Sequence, residues 1–188
     1  MTLRRLVLAC LATSLIVAGC GDGGGDGGDG GGGAATTPGV GECPDATDLR
    51  GDTGDADPFT LNVVSSFAER TEDDTLYGDY YRVVFADFQL EPGETINTES
   101  GERAIEIEVY GRDQTLPPPG TYDFEGQQNT FFQPTFYEGG TAQPLTTLGP
   151  GGTLTLAVAN DQEVCGGIDV SDGSVTIQGA FRASLVTE

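Results

Sequence analysis

The chain has 188 residues, with 30 Asp or Glu against 8 basic residues and no His, for a formal charge of −22. Every basic residue is an arginine, so the absence of lysine and histidine removes Ser-His-Asp and Ser-Lys nucleophile systems and any His-based metal triad. A surface this acidic repels nucleic acid and anionic lipid headgroups, so neither is an expected partner.

In chain order, the first feature is an export signal. Arg4 and Arg5 give residues 1–5 a positive charge, Leu6 to Val17 is almost wholly apolar, and Ala18-Gly19-Cys20 follows. A basic start, a short apolar run and small residues before a cleavage point define such a signal. The run is shorter than the roughly 20 apolar residues that cross a bilayer. Val17-Ala18-Gly19-Cys20 resembles the lipobox of bacterial lipoproteins. The resemblance implies cleavage after residue 19, a diacylglycerol on the Cys20 thiol and a further acyl chain on the new amine. Two or more chains hold a protein durably on a membrane. In that family an aspartate directly after the cysteine favours the inner membrane. Here Gly21 holds that position, which implies the outer membrane where the organism has one. Loss of residues 1–19 leaves 6 Arg against 30 acids, a net −24. That composition suits solubility in a crowded envelope, or the cell surface of a salt-loving organism.

Residues 21–33 contain ten glycines and three aspartates, and can bury nothing to offset the entropy of ordering. Residues 20–42 therefore read as a lipidated cysteine and a flexible tether, reaching on the order of 25 Å as a Gly-rich coil. Residues 43–188 read as one domain. Cys10 leaves with the signal and Cys20 is spent on lipid, so Cys43 and Cys165 remain. In an exported chain they are expected to form a disulfide.

Within the domain, residues 51–58 read as an acidic turn-rich loop. Apolar alternation at period two, the mark of a half-buried strand, then recurs. It runs through Phe59, Leu61 and Val63 in residues 59–67, and through Ile105, Ile107 and Val109 in residues 104–110. Residues 79–88 are apolar on both faces, which predicts a central strand. Shorter pieces fall at residues 122–124 and 131–137. Leu154, Leu156 and Val158 share a face, as do Val175, Ile177, Phe181 and Leu185, with Gly179 between them. Turn signals separate these runs, Cys165-Gly166-Gly167 and Asp172-Gly173-Ser174 among them. Seven to nine short strands and no helical stripe predict an all-β fold, a single antiparallel β-sandwich or barrel. Residues 152–183 are also similar to the closing hairpin of many small envelope lipoproteins, a resemblance that implies a β fold and no activity.

Candidate chemistry is sparse. Asp52, Asp55 and Asp57 place hard oxygen ligands in one loop, which suits Ca²⁺, although their spacing matches no known calcium loop. Phe131, Phe132, Phe136 and Tyr137 form an aromatic cluster that would stack on sugars or dock a partner if exposed, and would fill the core if buried. Glu106 and Glu108 lie about 6–7 Å apart on one strand face, which reads as an exposed polar face opposite the core. A carboxylate-pair hydrolase is thinkable but unmarked. The leading expectation is a lipid-anchored, non-enzymatic β-domain of the cell envelope, structural or binding and without a required cofactor. A calcium- or carbohydrate-dependent binding module comes second.

Overall fold

The computed structural model describes residues 38–54, 57–72, 78–111, 115–124, 132–145 and 151–186. Among these described residues eleven strands follow in chain order: β1 (Asp48–Asp52), β2 (Phe59–Thr60), β3 (Ser65–Thr71), β4 (Tyr80–Ala86), β5 (Arg103–Tyr110) and β6 (Gly120–Asp123) come first. Then come β7 (Phe132–Glu138), β8 (Thr141–Pro144), β9 (Gly151–Ala159), β10 (Glu163–Ser171) and β11 (Thr176–Val186). They hydrogen-bond in the order β6-β9-β10-β11-β3-β4-β5-β7-β8, with β1 on β11 and β2 on β1. The fold is all-β, as the alternation predicts. It is mixed rather than purely antiparallel, because β11 and β3 run parallel through Ser184–Val186 and Phe67–Glu69. Residues Thr176–Ala180 of β11 are already taken by β1, so β3 meets only the far end of that long strand.

The sheet curls into a half-barrel around its inner face. Phe85 packs on Phe181 at 5.8 Å and Phe59 on Phe136 at 5.3 Å between ring centroids. Phe124, beside the end strand β6, lies 5.4 Å from Phe132 of β7 and so helps draw the two ends of the path together. Strand β4 is central, with Tyr81, Val83 and Phe85 in this core and Val84 in a second, smaller core on the outer face. That second core joins Phe67, Val84, Ala86 and Ala104 to Leu90 and Ile96 of the segment 87–102, which folds back as a strap over β3–β5.

Four local expectations are corrected. Cys165-Gly166-Gly167 is no turn but lies within β10. A Cβ on Gly166 would sit 1.9 Å from the Thr155 carbonyl oxygen and 3.1 Å from the Phe181 ring, so glycine is demanded by close packing and not by a bend. Val158 does not share the inner face with Leu154 and Leu156. Ala157 is an extra bulge residue between Leu156↔Gly166 and Val158↔Cys165, and it turns Ala159 toward the core in place of Val158. Residues 59–67 are not one strand but end β2 at Thr60 and begin β3 at Ser65, and Gly51 and Asp52 belong to β1 rather than to a loop. By contrast, Asp172-Gly173-Ser174 is a turn, with the Asp172 carboxylate accepting the amides of Ser174 and Val175.

Candidate functional site

On the outer face of the sheet, β3, β4 and β5 bring together one charged cluster. Arg82 stands opposite Glu69 on β3 and Glu108 on β5, with Glu106 one step along. Its Nε donates to Glu106 at 2.6 Å, one Nη to Glu69 at 2.5 Å and the other to the Glu94 carbonyl at 3.2 Å. The other Glu106 oxygen accepts the Tyr137 hydroxyl at 2.6 Å, and the Gly93 amide donates to Glu69. Burial alone would lower the Arg82 guanidinium, but its pairs with Glu106 and Glu69 outweigh that and hold it above its ordinary value. Burial, then the bond to Glu106, pushes the Tyr137 hydroxyl well above the ordinary tyrosine range; burial and Glu108 do the same to Tyr110.

The cluster pins the strap. Ser65 Oγ accepts the Leu90 amide, Asp87 the Arg103 amide and Thr98 Oγ1 the Gly140 amide, while Gly93 and Glu94 are held by Glu69 and Arg82. The polar-face expectation for Glu106 is therefore corrected. Its side chain is 11% exposed and lies under Tyr137 in an ion-pair network, because the strap covers that part of the outer face. The signal was present in the sequence as a lone arginine inside the apolar run Tyr80–Ala86, since a charge there needs partners. Beside the strap, a cleft of about 720 Å³ is lined by Glu69, Arg70, Glu72, Arg82, Gly93 and Val186 among others. Two of its four charged side chains, Glu69 and Arg82, are engaged with each other.

The singled-out residues fall elsewhere. Phe132 and Phe136 are fully buried in the main core, where alternate positions of β7 point inward, so neither is offered at the surface. Tyr137 is half-buried on the opposite face against the strap's core, and Phe131 lies outside the described residues. Asp52 accepts the Gly54 amide at 2.8 Å and Asp57 is exposed, while Asp55 lies outside the described residues. No group of three or more metal-ligating side chains converges among the described residues. Cys20 and residues 1–19, expected to form an export signal, also lie outside them. Cys43 and Cys165 are bonded, with Cα atoms 5.6 Å apart.

The class the geometry defines is thus an all-β half-barrel with a disulfide and a strapped outer face. No family model, curated protein or solved structure matches the chain.

Proposed function

We propose that this chain is an exported lipoprotein whose β-domain is held off the membrane by residues 20–42 and serves a non-catalytic structural or binding role at the envelope. The observation that carries this reading is the Cys43–Cys165 bond. Such bonds persist in exported proteins and are rare in reducing compartments, so it agrees with the signal-like residues 1–19 and leaves Cys20 for lipid. The Arg82 cluster supports a non-catalytic role, because both of its buried-side carboxylates are spent on a guanidinium that fastens the strap. Gly21 after Cys20 favours the outer membrane where one exists.

Detergent phase partition of the native protein and of Cys20→Ser, each expressed with the full signal, tests the reading. The native protein should enter the detergent phase, and the variant should remain an uncleaved precursor. A variant that matures normally, or a native protein found only in the aqueous phase, would overturn the anchor.

A further inference from the structure

The chain enters the fold across the outer face of three strands. The bulge at Ala157 leaves a carbonyl outside the β9–β10 ladder, and the Gly41 amide takes it at 2.8 Å. Cys43 is then bonded to Cys165, which alternation places on the outer side of β10 and which is fully buried. Thr47 Oγ1 next donates to the Arg182 carbonyl at 3.1 Å and accepts the Arg182 amide at 3.0 Å on β11. Only after this crossing does the chain enter β1. Residues 41–47 therefore touch β9, β10 and β11 in turn and are fixed covalently to the middle one.

The two strands the entering chain could load are not equally held. β1 has five residue pairs with β11 and two with β2. β10 has nine pairs with β11 and eight with β9, one ladder on each side. Without the bond, a pull on the N-terminus would peel Thr47 and then β1. With it, the pull reaches β10 in the interior of the sheet, and residues 44–164 are bypassed. We infer that residues 41–47 with the Cys43–Cys165 bond form a load-bearing junction, which carries force from the membrane tether into an interior strand paired along both of its edges. This rests on the tether reading above.

The test uses the mature chain, residues 20–188, oxidised and held in optical tweezers by the Cys20 thiol and the C-terminus. A second axis, between handles on exposed Thr141 and Ser174, avoids the junction. Because each step of peeling at β10 opens a ladder on both sides, whereas β1 is held mainly on one side, the native chain should rupture at roughly twice the force of Cys43→Ser along the tether axis. The variant should also show an early, small extension as β1 leaves. Along Thr141–Ser174 the two proteins should rupture at similar forces. Equal forces along the tether axis, or an equal fall along both axes, would overturn the inference, the latter showing general stabilisation only. Should Cys43→Ser fail to fold, native molecules mounted folded and reduced in place supply the same comparison. Lipidation of Cys20 is read separately from the N-terminal mass, so failure of the anchor reading leaves this result interpretable.

Discussion

Replacing Arg82 with Met keeps most of the aliphatic stem beside Phe67, whose ring lies 6.0 Å from the guanidinium, and removes the charge. It leaves Glu69 and Glu106 without their cation and frees the Glu94 carbonyl. Removing one partner of a fully buried pair costs about 3–5 kcal/mol, whereas exposed pairs are worth about 0–1 kcal/mol. The three side chains here are 11–18% exposed, so screening is partial. We therefore expect a loss of about 2–3 kcal/mol, or roughly 6–9 °C in Tm for a domain of this size. Urea melts followed by circular dichroism give the first figure. Adding Glu106→Gln should restore part of the loss, because the amide still accepts from Tyr137 and the more buried of the two carboxylates no longer carries a charge, leaving only Glu69 without its cation. Hydrogen exchange in residues 87–102 should rise in the single variant. A loss below about 0.5 kcal/mol, as for an ordinary surface pair, or strict additivity of the two substitutions would refute the clamp.

Other consequences are open to direct measurement. Reducing Cys43–Cys165, which lie 122 residues apart, forfeits up to about 5 kcal/mol of loop entropy, of which about 2–4 is commonly realised, so Tm should fall by on the order of 10 °C; an unchanged melt would contradict this. Tyr110 and Tyr137 have folded values raised above the ordinary tyrosine value, chiefly by burial. Their contribution to stability is complete below pH about 10 and is lost as pH rises through the folded values. Ultraviolet titration should accordingly show both still protonated above the ordinary range while the protein is folded. Gly179 has φ +136°, and a Cβ there would lie 1.9 Å from the Asp48 carbonyl oxygen, so Gly179→Ala should cost about 2–4 kcal/mol, whereas Gly39→Ala, which meets nothing, should be neutral in the same melts.

Alternation made the main core legible where strands are long and one face is dry. The two apolar faces of residues 79–88 announced a central strand, and Val175, Ile177 and Phe181 announced the inner face of β11. It failed where a strand carries little apolar surface. Asp48–Asp52 has only Leu49 to declare it, and Thr141–Pro144 has Ala142 alone, yet both pair in the sheet. Glycine misled at Gly166, because a residue that suits a turn also suits a strand over which an aromatic ring and a neighbouring carbonyl approach closely. The bulge at Ala157 reversed the faces after it, which periodicity alone does not encode. The strap was hidden for a related reason. Leu90 and Ile96 are isolated apolar residues in a polar stretch, and their burial depends on partners supplied by β3, β4 and β5. Of the candidate residues, the disulfide was legible from the cysteine count, whereas the aromatic cluster at residues 132–136 went mainly to the core.

The central claim concerns the N-terminus, and the intact mass of the protein purified from its own membranes tests it most directly. The account predicts a chain beginning at Cys20, carrying a diacylglycerol and a further acyl chain, and lacking the two hydrogens of one disulfide. A mass that retains Met1–Gly19, or that begins near residue 20 with no lipid, would contradict it.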